Sequence, residues 1–224
     1  MRKKILLPIL ISLILVLQLF TGCGTGMKSI SSTPGMKCDE KADEALMDNR
    51  FEKSVILHEF FIKEHPENGL AMYHLGYSHG QLNDREKEMK YYEEAIRLGY
   101  YGSGIFFNLG MAYSEMEKYD DAVRIFKKAI EVEPESADNH FGLALTYEKM
   151  GDLAGAEKAL ITAAKLSPSD IDVNYFLGKL YLETGKKEEA FNQLEKLIKI
   201  APDDEMTLDL QKALEEVSED NTGN

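Results

Sequence analysis

A 34-residue echo constrains this chain more than any other feature. Leu109-Gly110, Leu143-Ala144 and Leu177-Gly178 recur at that interval. So do Tyr113, Tyr147 and Tyr181, then Ala122, Ala156 and Ala190, then Pro134, Pro168 and Pro202. A fixed period of this length marks a helix–turn–helix unit stacked on copies of itself. One such unit cannot bury its apolar face alone, so neighbours must cover it. The expectation is an elongated all-α solenoid rather than a single enzyme-like core.

The clearest unit is 103–136. Phe106, Leu109, Gly110 and Tyr113 fall on one face at helical spacing, predicting a first helix from about Gly104 to Met116. A turn is expected near Glu117-Lys118. The second helix presents Ala122, Phe126 and Ala129, and Pro134 cannot continue it. Small residues at Gly110 and Ala122 allow the two helices to approach closely.

These columns closely resemble the tetratricopeptide repeat. The resemblance covers 35–204 as five repeats, 35–68, 69–102, 103–136, 137–170 and 171–204. In the fourth, His140, Leu143, Ala144, Tyr147, Ala156, Leu160, Ala163 and Pro168 hold the signature places. In the fifth, Asn174, Leu177, Gly178, Tyr181, Ala190, Leu194, Leu197 and Pro202 do. The second keeps Met72, Leu75, Gly76, Tyr92 and Ala95, but has His79, Glu88 and Tyr100 where an aromatic, a small residue and a proline are usual. Glu88 is expected either to reach His79 or to be exposed by a local rotation of its helix. The first keeps Ala42, Ala45, Ser54, Phe61 and Pro66, with Lys41 breaking its apolar face. The resemblance implies a right-handed α-solenoid of five hairpins. Met206, Leu208, Leu210, Leu214 and Val217 predict a capping helix over 205–217, and 218–224 reads as a disordered polar tail.

The N-terminus has another character. Arg2, Lys3 and Lys4 precede an apolar run from Ile5 to Phe20, then Thr21-Gly22-Cys23. A basic start, a short apolar run and small residues read as a secretory signal peptide over 1–22. The segment Leu19–Cys23 resembles the bacterial lipoprotein lipobox, which implies cleavage before Cys23 and lipid attachment to it. Gly24, by resemblance to proteobacterial lipoproteins, implies the outer membrane where the cell has one. Residues 23–34 contribute Gly, Ser, Thr and Pro to a flexible tether. Cys38 is then the remaining thiol. It reads as a small buried residue of the first repeat, with an intermolecular disulfide as the alternative.

The formal net charge is −13, and −16 without residues 1–22, which carry three basic residues and no acidic ones. Phosphate binding wants a basic face, so no nucleic-acid partner is expected. No catalytic set is expected either. His58, His65, His74, His79 and His140 show no metal spacing on one helix face, and His74 and His79 splay apart. Gly99–Gly104 is glycine-rich but follows no strand, and Thr184-Gly185-Lys186 lacks the upstream glycine of a P-loop. No metal, cofactor or nucleophile elbow is predicted.

Binding is better supported. In the resembled family the first helix of each repeat lines a concave surface. Here that surface gains an aromatic ladder, Tyr73, Phe107, Phe141 and Tyr175, and a second rung, Tyr77, Met111, Leu145 and Lys179. Asn108 lies beside it. In the first repeat Asp39 and Asp43 take these places, predicting an acidic end that favours partners with basic flanks. Aromatic anchors suit an amphipathic helix or an extended peptide. Partial packing of the ladder between neighbouring helices is the alternative. Only Asn108 and Lys179 match the carboxylate-clamp subclass, so a chaperone-tail receptor is not expected.

The expectation is a non-catalytic lipoprotein adaptor for cell-envelope complexes, facing the periplasm in a Gram-negative cell. A pilotin-like factor for type IV pilus or secretin assembly is the more specific alternative. A self-assembling scaffold and a glycan-binding module are the others.

Overall fold

The computed structural model describes residues 37–102 and 104–219. The expected signal peptide, Cys23 and expected tether, and residues 220–224, lie outside the described residues. Within them the chain forms eleven α-helices and no strand. Five hairpins follow one another: α1 Glu40–Met47 with α2 Phe51–Glu64, α3 Gly69–Gln81 with α4 Arg85–Arg97, and α5 Ile105–Glu115 with α6 Tyr119–Val132. Then come α7 Ala137–Met150 with α8 Leu153–Leu166, and α9 Ile171–Glu183 with α10 Lys187–Ile200. The last helix, α11 Glu205–Glu219, covers the fifth hairpin by packing on α9 and α10.

The tight turn inside each hairpin repeats at one register. Asn49, Asn83, Glu117, Gly151 and Gly185, each 34 residues apart, all have positive φ between 56° and 77°. Each closes the same pair of bonds. The Glu117 N–H meets Ser114 O at 3.1 Å and the Lys118 N–H meets Tyr113 O at 2.9 Å. This is the Schellman ending, which satisfies orphan carbonyls with one left-handed residue. Helix starts are capped by short acceptors: Asp39 takes the Ala42 N–H, Asn68 the Ala71 N–H and Asp152 the Gly155 N–H, all at 2.9 Å.

Second helices end in two ways. α2, α6, α8 and α10 stop at His65, Glu133, Ser167 and Ala201, each followed by proline, which pushes its predecessor out of the helical region. α4 has no proline to stop it. Gly99 adopts φ 83° instead, and Tyr100 folds inward to 1% exposure. The hydrophobic residue after a left-handed cap thus does the work of the missing proline.

The core is continuous along the solenoid. Ala122, Ala156 and Ala190 are fully buried where paired helices cross. Phe126 is fully buried, its ring lying against Gly110 of its own hairpin and Gly142 of the next. Tyr92 lies likewise against Gly76. Successive first helices also touch, α1 on α3, α3 on α5, α5 on α7 and α9 on α11. Among the described residues no comparable packing joins the second helices of neighbouring hairpins. First helices therefore line the inner curve, and second helices form the outer one.

Candidate functional site

The inner curve carries the ladder, and every member is half-buried. Tyr73 stacks on Tyr100 at 5.2 Å and lies 5.7 Å from Tyr92. Tyr77 meets Phe51 edge-on at 6.2 Å, and Phe107 meets Phe126 at 6.0 Å. Phe141 meets Phe176 at 5.4 Å, and Tyr175 contacts that same ring. Met111 packs on the core, Leu145 is half-buried beside it, and Asn108 hydrogen-bonds Tyr92. Each rung thus both seals a joint and presents a face to the inner curve.

The C-terminal end of this face opens into a pocket of about 420 Å³, lined by Tyr175, Phe176, Lys179, Glu148, Glu183 and Val217 among others. The Tyr175 hydroxyl donates to Asp209 at 2.8 Å, and Lys179 donates to the same carboxylate at 3.2 Å. Burial and the adjacent Asp209 carboxylate raise the Tyr175 phenol well above its ordinary range. Burial also raises Glu148.

The N-terminal end is not the open acidic mouth expected. Asp39 is spent on capping α1. Asp43 turns into the joint between the first two hairpins. Its Oδ1 lies 2.8 Å from His74 Nδ1 and 3.2 Å from His58 Nε2, which are themselves 3.2 Å apart. His58 is fully buried and His74 nearly so. Cys38 joins them: one ligand atom from each of the four residues lies within 4.8 Å of the others. Burial opposes ionisation of Asp43, but hydrogen bonds from both histidines win and hold it down to about 2. Burial lowers His74, against the pull of Asp43. Burial, with Asp43 and Asp39 nearby, pushes the Cys38 thiol up.

A second polar group sits one joint further on. Glu88 does not reach His79. It accepts from Arg85 at 2.7 Å, and Arg85 also bonds Gly80 O at 3.1 Å and pairs with Glu115 of α5. The carboxylate fits because Gly80 has no side chain to meet it. His79 instead stacks flat on Tyr91 at 5.4 Å and faces Asp84 at 3.5 Å.

Three tetratricopeptide repeat family models match the sequence, over residues 70–98, 107–171 and 149–214. The chain is a tetratricopeptide repeat protein. Solved structures agree on the fold. A crystal structure of YrrB, described as a TPR protein with an unusual peptide-binding site, is 21% identical, with TM-score 0.66 over 76% of this chain and 88% of that one. A crystal structure of MamA is 20% identical, with TM-score 0.69 over 73% and 95%. MamA residues 41 to the end from Desulfovibrio magneticus RS-1 are 16% identical, with TM-score 0.64 over 77% and 92%. No curated protein sequence matches the chain.

Within the tetratricopeptide frame, four potential metal ligands come together that the expectation of no metal-ligating set did not consider. It rested on spacing within single helices. The fold gathers one residue each from the segment before α1, from α1, from α2 and from α3. A signal was present in the repeat register. His58 occupies the column of Tyr92, Phe126, Leu160 and Leu194, the large core position of every second helix. A histidine in that column has to find polar partners inside the joint.

Proposed function

We propose that this protein is a non-catalytic adaptor that holds a protein or peptide segment along its inner curve. The observation that carries this reading is the half-exposed aromatic and apolar face running from Tyr73 through Phe107 and Phe141 to Tyr175, ending in the pocket beside Lys179. Aromatic rungs held by ring contacts with the core lose little freedom on binding, so the face is preorganised. Aromatic anchors at regular spacing suit an amphipathic helix or extended strand. Glu148 and Glu183 around the pocket, with a strongly negative chain, favour a partner with basic flanks. The fold likeness to YrrB, whose structure is described as having a peptide-binding site, is consistent with such a use.

The N-terminal sequence adds a location to the proposal. Lipid on Cys23 and a tether over 23–34 would hold the solenoid at a bacterial envelope membrane, raising its effective concentration towards partners there. Support for assembly of an envelope complex, with a pilotin-like role as the narrower form, follows from that placement. In-cell photo-crosslinking from Phe107, with exposed Lys128 on the outer curve as control, tests the reading. Capture of one defined protein from Phe107 and not from Lys128 supports the groove. Equal capture from both, or none from Phe107 at normal protein levels, removes it.

A second reading, association of copies through the first hairpin, is favoured by Ile56 and Phe60, which are 66% and 64% exposed one turn apart on α2. Sedimentation of the wild-type chain and Phe60→Glu across a concentration series separates a monomer from a self-assembling scaffold.

A further inference from the structure

We propose that Cys38, Asp43, His58 and His74 form a tetrahedral divalent-metal site, with Zn²⁺ the ion that fits it best. The donor set is one thiol, one carboxylate and two imidazoles, a mixture of soft, hard and borderline ligands that zinc accepts together. Three of the four donors already form a face of a tetrahedron. Asp43 Oδ1, His58 Nε2 and His74 Nδ1 stand 2.8, 3.2 and 3.2 Å apart. Bonds of 2.0–2.1 Å to a central zinc imply donor separations of roughly 3.3 Å. Cys38 Sγ completes the group within 4.8 Å, so closure needs only a small movement of one side chain.

The protons argue the same way. His58 Nδ1 lies 2.9 Å from the Ser54 carbonyl, which can only accept, so Nδ1 carries the hydrogen. In the neutral ring Nε2 is then the bare nitrogen, the form that a metal ion binds, whereas a second proton on Nε2 gives the hydrogen bond to Asp43. A proton and a metal cation therefore compete for the space between Asp43, His58 and His74. A ring N–H fixed on a backbone carbonyl is the usual support of a metal-bound histidine, because it sets the tautomer and orients the ring. Ser54 Oγ, 3.1 Å from the same nitrogen and 3.0 Å from Ser78 Oγ, holds the arrangement further. Asn68 grips the segment that bears Cys38, donating to Lys37 O at 2.9 Å while its own oxygen caps α3.

The repeat register separates this group from ordinary packing. The equivalent four columns hold Met72, Tyr77, Tyr92 and Asn108 one repeat later, then Phe106, Met111, Phe126 and Gly142. Where His58 meets His74, the next joint has Tyr92 with Asn108, and the one after has Phe126 against Gly142. Columns filled in the next two repeats mainly by aromatic rings and methionines here hold four potential ligands. Among the described residues it is also the first joint of the solenoid. A metal there would tie the segment before α1, α1, α2 and α3 together and add its binding free energy to their folding.

The test uses the full chain in detergent, stripped with chelator and then titrated with Zn²⁺, or with Co²⁺ as a spectroscopic probe. The expected result is one equivalent of Zn²⁺ with a raised melting temperature, and a tetrahedral Co²⁺ spectrum with a thiolate charge-transfer band. Cys38→Ser should lose that band, while Cys23→Ser keeps it. His58→Phe restores the aromatic of the later repeats, so it should stay folded while Zn²⁺ affinity falls about 100-fold or more, beyond the 10–100-fold typical of outer-shell changes. His65→Gln and His140→Gln should bind as wild type. Wild-type binding no tighter than that of folded His58→Phe overturns the proposal. So does a Co²⁺ spectrum unchanged by Cys38→Ser, or binding lost with His65 or His140.

Discussion

Glu88 places its carboxylate 2.7 Å from the Arg85 guanidinium, at the helix-crossing position that Ala122, Ala156 and Ala190 fill in the next three hairpins. An acid in that place is 6% exposed, and burial with the like charge of Glu115 raises it to about 7 against the lowering pull of Arg85. The folded value lies above the unfolded one of 4.5. The native state therefore holds more protons between those values, and stability falls as pH rises through that window. Glu88→Gln keeps an acceptor for Arg85 without the buried charge. It should match wild type near pH 5 and exceed it above pH 7 by on the order of 1–3 kcal/mol. Urea denaturation at pH 5 and pH 8 checks this. A variant less stable at both values would mean that the ion pair outweighs burial.

Glu117 occupies the left-handed turn that Gly151 and Gly185 occupy in the following hairpins. A side chain with a Cβ costs roughly 1–2 kcal/mol in that conformation, while asparagine, as at Asn49 and Asn83, tolerates it better. Glu117→Gly should therefore stabilise the protein by about 1 kcal/mol, less the extra freedom glycine has when unfolded. Asn83→Gly should change stability less. Thermal unfolding of both variants beside wild type decides the order.

The repeat register explains what could be read from residues alone. A period of 34 placed the helices, the turn near Glu117 and the stop at Pro134, because each depends on local chemistry repeated in the chain. It also placed Phe107 and Tyr175 on first helices. It did not reveal that Gly99 and Tyr100 would end α4, since a left-handed cap and an inward tyrosine replace proline by a different mechanism. Glu88 was misplaced because Arg85, three residues away on the same helix, competes better than His79. The group at Asp43, His58 and His74 was hidden because its members come from different helices. Spacing along one helix carries no information about a joint between three.

Phe126 fills the joint between two glycines, Gly110 and Gly142, and a Cβ at Gly142 would enter the ring. Gly142→Ala should cost about 1–3 kcal/mol by overpacking. Phe126→Leu should cost about the same by leaving space. One repeat later the same two columns hold Leu160 and the larger Phe176, so the register combines small with large in either order. The double variant should therefore be more stable than the sum of the single losses predicts, with a coupling of about 0.5–3 kcal/mol. Strict additivity in a double-mutant cycle would mean that the ring moves away from Gly142 freely.

Tyr175 and Lys179, which line the pocket at the end of the inner curve, both direct hydrogens to Asp209 of α11. Burial is the larger cause of the raised Tyr175 phenol, and the Asp209 carboxylate adds to it by hydrogen bond and charge. Asp209→Asn leaves the burial and removes the anion, so the Tyr175 titration should move down towards, but not reach, an ordinary phenol. The exposed Lys179–Asp209 pair contributes little stability, about 0.2–1 kcal/mol, so melting should barely change. Spectrophotometric titration of the variant, with Tyr175→Phe to identify the signal, measures the shift. The same variant bears on binding. A partner with basic flanks seated in the pocket should bind Asp209→Asn more weakly and with a shallower salt dependence. Unchanged affinity together with a shifted Tyr175 would place the partner nearer Phe107 and Phe141, away from α11.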